Sequence, residues 1–233
     1  MIYIMGTIAA GKTSLAKILA KDLQAPVYYE DIENNGLILN MLEKFYSSGK
    51  KSRQTNGAML QIAFLTFRYQ QLRQAITQQN AIMDSSLESD FVMASQLHDH
   101  GEISEADFNV YVTLSQEMQA NVNGTPWNGL PDLVIYLTID PDHAINEIQK
   151  RGREMESIKR EPGLVDYYRV HHAYEKWANG YPPALLLTID REKYDYVKNQ
   201  KDQDIVLDLI ETKLKDIGKL PPQTLEKIKQ KRK

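Results

Sequence analysis

The sequence predicts an α/β fold, a three-layer sandwich in which a five-stranded parallel sheet is flanked by helices. Three observations carry that reading. Short apolar runs at 1–5, 25–29, 80–84, 133–137 and 184–190 alternate with helix-spaced segments, the pattern of a parallel sheet covered on both faces. Several of these runs end in a carboxylate, at the edge where open α/β sheets keep their ligands. Between the first strand and the first helix lies the glycine-framed turn Gly6-Thr7-Ile8-Ala9-Ala10-Gly11-Lys12-Thr13.

That turn is spelled as a phosphate-binding loop. A tight strand-to-helix turn that aims successive backbone N–H groups at a polyphosphate needs residues that let the chain come close, which places glycine at both ends. Gly6, Thr7, Ala9, Ala10 and Gly11 are therefore expected to cradle a nucleotide. The helix that follows adds its positive dipole end. Lys12 is expected to reach the β- and γ-phosphates, and the Thr13 hydroxyl to be a ligand of Mg²⁺.

The second strand delivers Glu30 and Asp31 at its carboxyl end, making Glu30 a candidate base; a solvated loop carboxylate is the competing reading. Residues 34–46 have helical spacing, and the polar stretch 47–52 reads as an exposed loop. A long helix is expected over 58–79. Within it Gln61 and Arg68, seven apart, share a face among many apolar residues, so ligand contact, core satisfaction and dimer contact all remain open. The third strand ends in Asp84, the pattern that supplies an acidic partner for Mg²⁺; Asp140 after the fourth strand is a second candidate. Helices follow over 89–100 and 104–121, the latter with a capped start, and 123–131 is a turn-rich loop.

Another helix over 142–150 runs into Lys150-Arg151-Gly152-Arg153-Glu154-Met155-Glu156, cations dense enough to suit a flap over phosphates or a solvated helix end. A helix at 167–177, the fifth strand and a helix at 204–217 complete the domain. The basic residues 227–233 read as a frayed, solvated tail.

Composition narrows the function classes. A chain of 233 residues with 42% hydrophobic and 25% charged residues suits one domain, here 1–217 with a lid at about 150–163 and a basic tail at 218–233. A net charge of −3 supplies no basic field for nucleic acid. The absence of cysteine removes disulfides and thiolate metal sites, and the paired histidines have poor spacing for a shared metal. No apolar run reaches the roughly 18 residues of a membrane span. With Met1 opening the first strand, no leader is expected, and the cytoplasm is the expected compartment.

In order and spacing, the phosphate loop, Tyr29-Glu30, Phe45-Tyr46, Leu60-Gln61 through Phe64-Leu65 to Arg68, Asp84-x-Ser86 and Lys150-Arg151-Gly152-Arg153-x-x-Glu156 resemble the deoxynucleoside kinase family. Ile189-Asp190 with Lys193-Tyr194-Asp195-Tyr196-Val197 looks most like its bacterial deoxyadenosine and deoxyguanosine kinases. The resemblance covers nearly the whole chain and implies a P-loop kinase fold with an Arg-rich lid. It implies phosphorylation of the 5'-hydroxyl of a purine deoxynucleoside by ATP with Mg²⁺, in a salvage route. Glu30 matches the general base, Lys12, Arg151 and Arg153 the charge-neutralising groups, and Thr13 with Asp84 the Mg²⁺ site. Gln61 matches the amide that pairs with the nucleobase, Arg68 and Asp90 the pair that shapes base preference, and Tyr46 and Glu156 groups around the sugar. Tyr194 and Asp195 fall to the nucleotide side. A dimer with itself or a paralogue, and feedback inhibition by a deoxynucleoside triphosphate, are family expectations.

Two departures stand out. Where most relatives carry an arginine between the acid and the serine, this chain has Ser85, which supplies no positive charge. The polar stretch between Tyr46 and Gln61 is also longer, which unsettles the alignment of Tyr46. Besides the kinase reading, two others stay open: a phosphate-loop kinase for another small alcohol or nucleotide, and a nucleotide-binding regulatory subunit motivated by Ser85.

Overall fold

The computed structural model describes every residue except 48, 121, 123–129 and 233. Its centre is a five-stranded sheet of β1 (Ile2–Gly6), β2 (Val27–Tyr28), β3 (Ile82–Asp84), β4 (Leu133–Thr138) and β5 (Leu186–Asp190), in the order β2-β3-β1-β4-β5. Every pairing is parallel, with Ile2 opposite both Ile82 and Leu133. Side-chain alternation then sorts the central strands between two cores. Ile2, Ile4, Ile82, Leu133 and Ile135 face α1 (Lys12–Leu23) and α9 (Gln200–Asp216), while Tyr3, Met5, Met83 and Val134 face the opposite layer. That layer is built from α3 (Gly49–Ala75), α4 (Leu87–Asp99), α5 (Glu105–Ala120) and α8 (His171–Gly180).

A third apolar cluster contains no strand residue. It joins Ile38 and Phe45 of α2 (Gly36–Tyr46) to Leu60 of α3, Ile148 of α6 (Pro141–Arg151), and Leu164 and Tyr168 of α7 (Leu164–Tyr168). This cluster carries one side of the site described below.

Four segments differ from the sequence expectation. The long helix starts at Gly49 instead of 58, taking in most of the stretch expected as an exposed loop, and it ends at Ala75. Its polar first half is partly buried and partnered: Arg53 Nε donates to Glu102 Oε1 at 2.6 Å, and Gly57 lies against the Glu102 backbone. The helix expected at 167–177 is two helices, broken at Arg169, whose ψ of 56° is not helical. The break lets Tyr167 join the strand-free cluster while Tyr174 joins the sheet's core. The fifth strand begins at Leu186, after a 3-10 turn at Pro183–Leu185. The tail is not frayed over 222–232 but forms α10 (Pro222–Arg232), because Leu225 and Ile228 pack on the sheet's core and Arg232 pairs with Glu211 at 2.6 Å. Most of the turn-rich stretch 123–131 lies outside the described residues.

Candidate active site

The loop after β1 has a conformation that glycine alone tolerates at its ends. At Gly6 φ is 149°, and a Cβ there would stand 2.6 Å from the Leu137 carbonyl oxygen. Gly11 has φ 91°, and its Cβ would stand 2.7 Å from the Tyr196 hydroxyl. Between them Lys12 curls over the loop, its Nζ donating to Gly6 O at 3.0 Å and Thr7 O at 2.9 Å. Burial holds the Lys12 ammonium below its ordinary pKa, against the opposing pull of Glu30 and Asp84. A group already surrounded by carbonyls and short of water is prepared to receive an anion.

Thr13, in the first turn of α1, donates its hydroxyl to Asp84 Oδ2 at 2.5 Å. Asp84 Oδ1 is buried without a hydrogen-bond partner, and burial raises the Asp84 pKa. A hydroxyl beside a carboxylate with a spare oxygen is the hard-oxygen donor set that suits Mg²⁺, so these two residues fit that ion. Asp140, the other candidate, is taken up as the cap of α6, accepting from Asp142 N and His143 N at 2.9 and 3.0 Å.

Glu30 follows β2 and is only partly buried. Its Oε1 accepts from Arg68 Nη2 at 2.6 Å. Arg68, fully buried on α3, also donates from Nε to Asp90 Oδ2 at 3.4 Å and from Nη1 to Asp84 O at 3.1 Å. Burial alone would lower the Arg68 pKa, but Asp90, Glu30 and Asp84 together raise it. Asp90, in the first turn of α4, is pushed up to about 6 by burial. Gln61, Ser89 and Tyr174 line the same cavity as Glu30 and Asp90, and the Ser89 and Tyr174 hydroxyls bond each other at 2.7 Å. Ser85, with φ 87°, bonds through its N–H to Ile4 O, and the guanidinium seated on the Asp84 carbonyl beside it is that of Arg68.

The strand-free cluster supplies the facing wall. Tyr46 packs edge-on against Phe45 and Tyr167, with ring centroids 5.2 and 6.0 Å away. Glu156 is buried and accepts from Arg151 Nη2 at 2.6 Å and Arg153 Nη1 at 3.4 Å, while Arg153 also reaches Glu33 at 2.8 Å.

One cavity of about 810 Å³ joins these groups. Gly6, Ala9, Gly11, Lys12, Thr13, Glu30, Tyr46, Gln61, Asp90, Arg151, Arg153, Glu156 and Asp195 line it. Of the remaining sequence candidates, Thr7, Ala10, Arg68, Asp84 and Tyr194 are not among the lining residues. Asp84 touches the site through Thr13, and Tyr194 packs on the sheet's core. Among the lining residues that escaped the sequence reading as site members are Arg191, stacked on Tyr196 at 4.3 Å, and Tyr174. Arg191 follows β5 directly, as Glu30 and Asp84 end or follow their strands, and that position was the available signal.

The deoxynucleoside kinase family model matches residues 2–215 of this chain. A deoxyguanosine kinase of Lactobacillus acidophilus is 34% identical over 222 residues, covering 95% of this chain and 93% of that one. A deoxyadenosine kinase of the same organism is 33% identical, covering 94% and 99%. Among solved structures, a deoxyadenosine kinase from M. mycoides with products dCMP and a flexible dCDP bound superposes with a TM-score of 0.70 at 25% identity, covering 91% of this chain and 98% of that one. Another structure of that enzyme, with dATP bound, gives 0.67 at 24% identity, covering 90% and 97%. No helix among the described residues is long and apolar enough to cross a membrane.

Proposed function

The chain belongs to the deoxynucleoside kinase family and is a phosphotransferase, and from that premise we propose that it moves the γ-phosphoryl group of ATP to the 5'-hydroxyl of a purine deoxynucleoside, in nucleotide salvage. The observation that supports the reading is that the phosphate loop, Glu30, Gln61 and Asp90 all line one and the same cavity. An elongated acceptor whose base meets the amide and carboxylate presents its hydroxyl to Glu30.

The residues divide the work accordingly. Glu30 takes the hydroxyl proton as the new oxygen–phosphorus bond forms and the bond to the ADP oxygen breaks. Lys12, released from the loop carbonyls, and Arg151 and Arg153, drawn from Glu156 and Glu33, neutralise the charge spread over the transferring group. Thr13 and Asp84 would hold Mg²⁺, which supplies further charge neutralisation at the phosphates. Gln61 offers both donor and acceptor to a base edge, and Asp90 with Arg68 beside it sets the preference for purines. Tyr46 and Glu156 flank the sugar, and Asp195 and Tyr194 border the nucleotide end.

Exposed Met59, Phe91 and Val110 on α3, α4 and α5 support a dimer, with a second copy or a paralogue. A deoxynucleoside triphosphate occupying both ends of the cavity is a fitting feedback inhibitor; a triphosphate that leaves turnover unchanged ends that part of the reading. The test of the whole is phosphoryl transfer from Mg-ATP to the four natural deoxynucleosides by the purified chain. Turnover on a purine deoxynucleoside, lowered at least about 100-fold by Lys12→Ala and by Glu30→Gln, is expected. Nucleotide binding without any product favours the regulatory-subunit reading that Ser85 motivates.

A further inference from the structure

We propose that Gln149 is a positioning residue for phosphoryl transfer: its side-chain amide closes residues 149–158 into a ring that carries Arg151 and Arg153 as a preformed unit. The inference rests on the kinase reading above. Helix α6 ends at Arg151, and Gly152, with φ 74°, turns the chain away from it. Gln149 fixes the return. Its Nε2 donates to the Glu156 carbonyl at 3.0 Å, and its Oε1 accepts from the Ile158 N–H at 3.1 Å. An amide offers a donor and an acceptor side by side, so it pairs with this backbone as a neighbouring strand would.

The ring is also anchored from outside. The Tyr168 hydroxyl on α7 donates to the same Glu156 carbonyl at 3.1 Å, and Met155 and Ile158 pack on the strand-free cluster. The buried Glu156 carboxylate in turn holds Arg151 at 2.6 Å and Arg153 at 3.4 Å. Arg151, Arg153 and Glu156 line the cavity, whereas Gln149 is not among the lining residues. Gln149 therefore acts on the transferring group only through the loop it closes. A lid whose backbone is already ordered leaves the two guanidinium groups only side-chain rotation to reach a phosphate, so the entropy of ordering the chain is lost once, in folding, and not in each turnover.

Gln149→Met keeps the length of the side chain and removes both bonds, and Gln149→Glu keeps the acceptor for Ile158 while removing the donor to Glu156. Each is expected to lower kcat by about 10- to 100-fold, with the KM for Mg-ATP within about threefold because the phosphate loop still binds the nucleotide. Added to Arg151→Ala with Arg153→Ala, Gln149→Met is expected to cost less than about threefold more, since a ring without arginines has nothing to present. A role in folding alone would multiply with those substitutions. In the ligand-free wild type the Ile158 amide is expected to exchange hydrogen at least about tenfold more slowly than in Gln149→Met. An unchanged kcat, a loss that falls in KM, a loss that multiplies with the arginine substitutions, or equal Ile158 exchange in the two chains overturns the inference. A wild-type chain that turns over no deoxynucleoside refutes the proposed function instead and takes the positioning role with it, while exchange at Ile158 still decides whether the ring exists.

Discussion

Gly6 shows how a single residue can bind the phosphate loop to the sheet. The carbonyl of Leu137 on the neighbouring strand occupies the place where a side chain would begin, and the positive φ adds its own cost. Gly6→Ala is expected to destabilise the fold by about 1–3 kcal/mol and to abolish nucleotide binding, read by denaturant unfolding and by titration with ATP. Glu88 is a different case. Its Oε2 is buried without a partner, and burial pushes its pKa up to about 7. The folded state therefore keeps the Glu88 proton that the unfolded state releases near 4.5, so its contribution to stability falls as pH rises between those values. Glu88→Gln should raise stability by about 1–3 kcal/mol at pH 8 and change it little at pH 4, which melting curves at the two pH values decide. Neither effect could be read from the chain alone: glycine at 6 was legible as loop chemistry, but the solvation of Glu88 depends on what packs around it.

At the scale of elements, all five strands and the phosphate loop were legible because parallel strands buried on both faces leave near-continuous apolar runs. The errors cluster where polar residues are buried in pairs. Arg53 and Glu102 lie 49 positions apart, so nothing local announces that 50–57 is helix, yet their 2.6 Å contact draws that stretch into the fold. The same holds at the carboxyl end. Arg232 looks like part of a solvated basic tail until it meets Glu211 and Asp22, both far from it in sequence. Removing one partner of a buried ion pair leaves the other unpaired, so Arg232→Ala is expected to cost about 2–4 kcal/mol and to free α10 for hydrogen exchange. Exchange in α10 that matches wild type would show that Leu225 and Ile228 hold the helix unaided. In the site, Lys12 was legible by its motif and Glu30 by its place after a strand, with a solvated carboxylate as the competing reading, whereas Gln61 stood open among three readings and Arg68 was legible only as a polar residue among apolar ones. Its engagement with three carboxyl-bearing residues, through two side chains and one backbone carbonyl, is a product of the third dimension.

For the whole molecule, ligand and fold are linked through the loop that ends β1. A ligand that binds only the folded chain adds stability according to its concentration relative to Kd, about 2.7 kcal/mol at a hundredfold excess. Mg-ATP at that excess is expected to raise the melting temperature of wild type and to leave that of Lys12→Ala almost unmoved. Equal shifts in both would place the nucleotide away from the loop. The two walls of the cavity belong to different packing units. Lys12, Thr13 and Glu30 stand at the carboxyl edge of the sheet, whereas Tyr46, Arg151, Arg153 and Glu156 belong to or border the cluster that takes no residue from any strand. Mechanically this is a jaw with one side on the sheet and the other on a separate cluster, the two joined through α3 and α4, which place residues in both packing units. Grip and release then depend on the same two walls, and a tighter hold on product slows its departure. Turnover is accordingly expected to fall as solvent viscosity rises, and a rate indifferent to viscosity would mean that chemistry, and not release, limits it.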